Sequence, residues 1–265
     1  METGLGGKFD SVTACNSKIF GITSISMDHT HILGDNLKSI TKEKIAAIKP
    51  SSTIYTVPQT SDVENLIRKE CKIKESNLFL VPRNNSLNIS LKGDHQKENA
   101  SLSLQIARDL LTIWDQGSID KCLASINWHG RNQILSKRPD VIFDVAHNEG
   151  GIKSFLNFIK KDLHKKYSKK TLLFSIQRNK SINNIAKELS DSFDRVIYSK
   201  THQKYSMDFH KIKKYFTSAE YIKFPRLALK EIIDNSQEDE LIAIVGTHYW
   251  GDSIKNFFNI CFDNI

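Results

Sequence analysis

Ile19-Phe20-Gly21-Ile22-Thr23-Ser24-Ile25, followed at once by Asp28-His29-Thr30-His31-Ile32-Leu33-Gly34, is the stretch that decides the fold. A short β-branched and aromatic run that ends in polar and glycine residues reads as a buried strand of an α/β sheet. The pattern then alternates. Leu37 to Ile48 reads as a helix, Thr53 to Val57 as a strand, Asp62 to Cys71 as a helix and Leu78 to Val81 as a strand. Leu87, Ile89 and Leu91 alternate with polar residues as a further strand would, and Gln96 to Leu111 reads as a long helix. Alternation of this kind predicts α/β architecture with mainly parallel sheets.

Gln116-Gly117-Ser118 breaks the series, and Trp128-His129-Gly130-Arg131 begins a second one, which puts a domain boundary near Ile126. The expected domains are residues 1–126 and 127–265. In the second, strands are expected at Val141 to Val145, Thr171 to Ile176, Val196 to Ser199 and Leu241 to Val245. Helices are expected at Ile152 to Lys166, Ile182 to Leu189, Phe209 to Phe216, Leu227 to Asp234 and Asp252 to Ile260. No repeat or low-complexity tract interrupts them.

The 265 residues are long enough for two ordinary domains, and 39% hydrophobic with 26% charged residues argues against disorder. The net charge of +8 comes from lysines spread over the whole length, so no nucleic-acid partner is expected. The densest basic run, Lys160 to Lys170, falls on an amphipathic helix and reads as a solvated face. Cys15, Cys71, Cys122 and Cys261 have no metal-like spacing and read as reduced thiols. No apolar run is long enough to span a bilayer, so a cytoplasmic protein with no membrane partner is expected.

Met1-Glu2-Thr3-Gly4-Leu5-Gly6-Gly7-Lys8-Phe9-Asp10 is glycine-rich, but it forms no phosphate loop. Such a loop needs G-x-x-x-x-G-K-[ST], with backbone N–H groups and the Lys around phosphate and the hydroxyl on Mg²⁺. That motif is absent from the 265 residues; Gly6-Gly7-Lys8 continues with Phe9. Position singles out Asp28-His29, since ligands bind at the carboxyl ends of strands in open α/β sheets. As bare sequence, His29 and His31 read more readily as hydrogen-bonded loop residues than as ligands.

Six motifs follow in order: Glu2 to Gly7, Asp28-His29 to Gly34, Glu43-Lys44-Ile45-Ala46-Ala47-Ile48, Gly93-Asp94-His95-Gln96-Lys97-Glu98-Asn99-Ala100, Gly130-Arg131 and Asp144-Val145-Ala146-His147-Asn148. In this order the chain resembles the folylpolyglutamate synthase and dihydrofolate synthase family over nearly all its length. The related Mur ligases share the general plan, but His95-Gln96 and Asp144 to Asn148 are nearer the folate branch. The resemblance implies an incomplete phosphate-loop-type ATPase domain followed by a smaller Rossmann-like domain. It also implies ATP and Mg²⁺ as cofactors, with a folate and L-glutamate as substrates, the folate carboxylate being activated as an acyl phosphate.

The resemblance further implies roles for single residues. Glu2 and His29 match the Mg²⁺ ligands, although an imidazole is an unusual partner for so hard a cation. Lys44 matches a lysine that the family carbamylates. Asn99, Arg131 and Asp144 match ATP-contacting positions, with Arg131 suited to phosphate and Asp144 to the ribose or adenine. His147 would orient the nucleotide or the incoming glutamate. Ser175-Ile176-Gln177-Arg178-Asn179-Lys180 departs from the family's glycine and paired aspartates, and Lys8-Phe9 stands for its Arg-Leu. Three outcomes are expected to compete: a ligase half that needs a separately encoded N-terminal fragment carrying the phosphate loop, an inactive remnant, and a nucleotide- or protein-binding module.

Overall fold

The computed structural model describes residues 1–163 and 166–261. The chain forms two compact units, Met1–Ser90 with Asp94–Ser125, and Leu91–Gly93 with Ile126–Ile265. The α/β class is as expected.

The first unit holds β1 (Ile19–Ile22), α1 (Thr30–Leu33), α2 (Leu37–Ile45), β2 (Thr53–Thr56), α3 (Ser61–Ile73), β3 (Asn77–Leu80), α4 (Asp94–Leu110) and α5 (Gln116–Ser125). Its three strands are parallel in the order β1-β2-β3. Side chains alternate across the sheet, so Phe20, Ile54 and Leu78 face α2 and α3 with Ile45, Val63 and Ile67. Ile19, Tyr55 and Val57 face Leu102 and Ile106 of α4 instead. Gly21 lets α4 close on β1, because a Cβ there would stand 2.8 Å from the Ile106 side chain.

Three sequence expectations change here. The strand at Ile19 is shorter than expected and only partly buried, because β1 is an edge strand. Leu87 to Leu91 forms no strand; the loop is strapped to α4 by Arg83 to Asp94 at 3.1 Å and by Asn84 N–H to Ser101 Oγ at 2.8 Å. Gln116-Gly117-Ser118 opens a helix rather than breaking one, since the Asp115 carboxylate accepts the Ser118 N–H at 3.1 Å as an N-cap does.

The second unit holds β4 (Gln133–Lys137), β5 (Asp140–Asp144), α6 (Glu149–Asp162), β6 (Lys170–Phe174), α7 (Ala186–Ser192), β7 (Arg195–Tyr198), α8 (Phe209–Ile212), β8 (Glu220–Tyr221), α9 (Pro225–Asp234), β9 (Leu241–Val245) and α10 (Gly251–Phe258). Residues 164 and 165, within the helix expected to run to Lys166, lie outside the described residues. The helix expected from Ile182 starts at Ala186, and the one expected to run to Phe216 stops at Ile212.

The six strands lie in the order β4-β5-β9-β6-β7-β8, all parallel except the β4–β5 hairpin. Helices α6, α7 and α8 cover one face, with Phe155, Leu189 and Ile212 against Leu172, Phe174 and Val245. Helices α9 and α10 cover the other with Leu229 and Ile254, against Val141, Leu173 and Ile244. Every residue of β5 and β9 is buried, as expected of parallel strands covered on both faces. The chain passes from β5 to β6 and outward to β8 with its helices on one face, then returns through α9 to place β9 between β5 and β6. That reversal makes a switch point at the carboxyl ends of β5, β9 and β6, where open sheets leave a crevice.

No helix among the described residues is long and apolar enough to cross a membrane. Backbone approach is tightest at Gly246, just past β9, with φ 109° and an ideal Cβ 2.0 Å from the Ser175 carbonyl oxygen. Gly246→Ala should therefore destabilise the protein by about 3 kcal/mol or more, since backbone cannot yield as a side chain can. Gly117→Ala, whose Cβ would meet nothing nearer than Asp115 Oδ1 at 3.7 Å, should be neutral or stabilising by about 0.5–1 kcal/mol. Urea unfolding of the two variants side by side tests the contrast.

Candidate functional site

The N-terminal glycines are explained by packing. A Cβ on Gly7 would lie 2.6 Å from the Lys44 carbonyl oxygen and 2.7 Å from that of Glu43, and the Lys8 N–H donates to the Glu43 carbonyl at 3.0 Å. Gly6, at φ 67°, rests on Leu33. The Asp10 carboxylate then closes the turn by accepting the N–H groups of Leu5 at 2.9 Å and Val12 at 3.1 Å. These backbone donors hold the carboxyl below the usual range.

This seating lays Glu2 and Thr3 beside the open edge of β1. A cavity of about 440 Å³ lies there, lined by Glu2, Thr3, Phe20 to Ile25, and Lys44 from the last turn of α2. Glu2 and Lys44 thus share one cleft. Both side chains are exposed and make no hydrogen bond or ion pair. His29 is not among the lining residues: it begins α1 at φ 49°, in a left-handed conformation that His tolerates better than most residues, and its ring lies beside Asp28 at 3.9 Å.

Among the described residues no group of three or more His, Cys, Asp and Glu side chains could hold a metal ion. Mg²⁺ commonly takes one or two carboxylates and completes its shell with water and substrate phosphates. Glu2 fits that limited demand. An unmodified Lys44 in the same cleft would repel the ion, whereas a carbamylated one would add a carboxylate.

Asn99 lies in the second turn of α4, half-buried and without a hydrogen-bond partner. Beside it in sequence, Gln96 is buried, with its amide 3.0 Å from the His95 ring nitrogen.

In the second unit the carboxyl end of β5 is the most ordered part of the candidate site. Gly130, at φ 71°, sits on the ring of Phe143 and on Val145, and its carbonyl accepts the Val145 N–H at 3.0 Å. Asp144, only 6% exposed, accepts two main-chain N–H groups, Asn132 at 2.7 Å on Oδ2 and Ala146 at 2.7 Å on Oδ1. One carboxylate therefore fixes the turn that carries Arg131 and the turn that carries His147. Arg131 itself is held weakly, its guanidinium reaching the Gly130 carbonyl at 3.5 Å. His147 Nδ1 donates to the Val145 carbonyl at 2.9 Å, and Asn148 caps α6 through the Gly151 N–H at 2.8 Å.

Sequence reading missed the companions of His147. His248, after β9, is close enough to feel its charge, and burial together with that charge lowers the His248 pKa. Tyr249 links His248, at 4.2 Å between ring centroids, to His202 at 5.0 Å, and the His202 ring lies tilted against that of Tyr205 at 4.4 Å. The Ser175 to Lys180 segment, which departs from the family pattern, is closed by Arg178 N–H to the Tyr205 carbonyl and Met207 N–H to the Ile176 carbonyl, both at 2.8 Å.

No family model matches the chain. It is 26% identical over 292 aligned residues to the dihydrofolate synthase/folylpolyglutamate synthase of Bacillus subtilis, covering 96% of this chain and 66% of that protein. It is 27% identical over 223 residues to the folylpolyglutamate synthase of Saccharomyces cerevisiae, covering 75% of this chain and 41% of that protein. A crystal structure of Mycobacterium tuberculosis folylpolyglutamate synthase complexed with ADP and AMPPCP superposes with a TM-score of 0.85 at 18% identity, over 98% of this chain and 68% of that one. The bifunctional enzyme of Yersinia pestis, complexed with AMPPNP and a Mn ion, gives 0.83 at 18% identity, over 98% and 66%. The resemblance read from the ordered motifs therefore holds in sequence and in fold, and the chain spans less than two thirds of the length of these two sequence relatives.

Burial at Asp144 outweighs its two amide donors and the neighbouring Arg131 and His147, and raises the carboxyl from an ordinary 3.8 to about 6. The folded chain thus binds this proton more tightly than the unfolded chain. The stability it contributes is fully present below pH 3.8 and is lost as the pH rises through about 6. Asp144→Asn removes the titration and one acceptor. Its stability relative to the unaltered protein should improve by on the order of 3 kcal/mol between pH 3.5 and pH 7. Unfolding curves for both proteins at those two pH values measure the change; a pH-independent difference contradicts it.

Proposed function

We propose that the chain carries the metal- and nucleotide-handling residues of an ATP-dependent ligase that adds L-glutamate to the γ-carboxylate of a folate. In this reaction a folate carboxylate oxygen takes the γ-phosphoryl group of ATP and ADP leaves. The glutamate amine then attacks the acyl phosphate carbon, phosphate departs, and the nitrogen loses its proton as the amide forms. The observation that carries the reading is the placement of Arg131 and His147 on turns fixed by one buried carboxylate at the sheet's switch point. The sequence relatives bearing folylpolyglutamate and dihydrofolate synthase names support it.

Roles follow from what each side chain has free. Arg131, weakly held, would contact phosphate; His147, with its ring orientation fixed, would orient the nucleotide or glutamate. Glu2, and Lys44 once carbamylated, would serve Mg²⁺, with His29 as the second ligand implied by the resemblance. Asn99 would reach the nucleotide from α4. Asp144 would act on the nucleotide chiefly through the turns it holds, since both its oxygens already accept main-chain N–H groups. The free thiols of Cys15, Cys71 and Cys122 fit a reducing, cytoplasmic setting.

A second reading is favoured by one specific observation, the absence of a phosphate-loop motif from the 265 residues. The donors of such a loop act on the phosphoryl group in flight, and losing even one preorganised donor costs roughly 10² to 10³ in rate. The 265 residues by themselves would then bind Mg·ATP without turnover.

Titration calorimetry with Mg·ATP should give saturable binding, weakened about tenfold or more by Arg131→Met and unchanged by Lys153→Met on the exposed face of α6. On the second reading, glutamate incorporation into tetrahydrofolate should be undetectable for these 265 residues alone. No heat and no thermal shift with Mg·ATP would remove the nucleotide reading; turnover by the chain alone would remove the second.

A further inference from the structure

We propose that Asn132 is a positioning residue, a strap that ties the Leu91–Gly93 segment to the Arg131 turn and so sets the placement of Arg131. The proposal rests on the reading of Arg131 as a phosphate contact.

Asn132 is 1% exposed and sits at φ 46°, in the left-handed region. Its main-chain N–H donates to Asp144 Oδ2 at 2.7 Å, and its side-chain Nδ2 donates to the Lys92 carbonyl at 2.9 Å. Its Oδ1 is buried with no hydrogen-bond partner. The backbone conformation alone would be served as well by glycine, which has no such penalty. Burying an amide oxygen without a partner is costly, so a side chain kept here has to be offset by what its other end does. That end holds one carbonyl forty residues away in sequence.

The held segment is unusual in its own right. Residues up to Ser90 and from Asp94 onward belong to the first unit, yet Leu91–Gly93 packs with the second. Asn132 supplies a side-chain reason for that exception. Lys92 is followed by Gly93, at φ 100°. On its other side Asn132 is bonded covalently to Arg131, which lies between two left-handed residues, Gly130 and Asn132. A change in how Asn132 is anchored therefore rotates the Arg131 backbone directly.

Asn132→Gly keeps the left-handed backbone and the N–H to Asp144 while removing the strap. Asn132→Asp keeps size and shape but sets an acceptor against the Lys92 carbonyl. Two readouts on the full chain test them: the rate of trypsin cleavage at Lys92–Gly93 relative to Arg83–Asn84, and the Kd for Mg·ATP. In both variants cleavage at Lys92 should rise about tenfold, the rate following local opening, and Kd should weaken five- to tenfold. Asn132→Gly should keep its unfolding midpoint, and combined with Arg131→Met it should add little further loss of affinity, because both act on one contact.

Unchanged cleavage at Lys92 in both variants overturns the strap, whatever the affinity does. Faster cleavage with unchanged affinity overturns the positioning role. If the unaltered protein binds no Mg·ATP while cleavage still rises, the phosphate reading of Arg131 is what fails and the strap stands.

Discussion

Two main-chain N–H groups, those of Asn132 and Ala146, converge on the Asp144 carboxylate at the buried end of β5. Buried amides need acceptors, and a carboxylate, with one oxygen for each, accepts both while bridging two turns. Burying it is costly, as the raised pKa records. The structure accepts that cost at the switch point of the sheet, where the loops after β5, β9 and β6 come together. Apolar residues could fill the same space, but they could not set the direction of two chains leaving it. Arg131 and His147 owe their positions to this one charge.

Close backbone approach plays the corresponding part in the first unit. Gly7 lies against the carbonyls of Glu43 and Lys44, and Gly21 against Ile106. A glycine cluster beside a lysine suggests phosphate, but here the glycines admit main chain. The approach at Gly7 also lays Glu2 along the cleft that Lys44 lines. Similarly Gly246 lets β9 leave the sheet across the Ser175 carbonyl, which carries His248 and Tyr249 to the same edge as His147.

What was legible in the sequence was what local patterning dictates. Leu241 to Val245 is a continuous apolar run because helices cover both its faces, and it reads as a strand without help. Ile19 to Ile25 has similar composition but lies at a sheet edge, and edge position is a property of topology rather than of the segment. Leu87 to Leu91 has the alternation of a strand but joins no sheet among the described residues. Gly117 drew attention away from Asp115, whose capping bond starts α5. The Asp144 and His147 motif was visible as a strand end. Asn132 was not, because a buried left-handed asparagine in a loop has no periodicity, and the His202, Tyr205 and Tyr249 rings come from loops distant in sequence.

The same accounting of hydrogen bonds separates scaffold from ligand-facing groups among the sequence-derived candidates. Asp144 has both oxygens engaged by main chain, and Asn148 and Thr247 cap the segments that follow them. A group already satisfied in this way gains little from a ligand, since any new bond must first break an old one of about equal net worth. Among the described residues the side chains of Glu2, Lys44 and Asn99 have no hydrogen-bond or ion-pair partner, and Arg131 reaches its neighbouring carbonyl only at 3.5 Å. A ligand oxygen or cation would add to those groups without displacing anything. Saturation therefore separates two residues of the motifs: Asp144 has both oxygens engaged by main chain and belongs to the frame, whereas the Arg131 guanidinium is held only by a long bond to the Gly130 carbonyl.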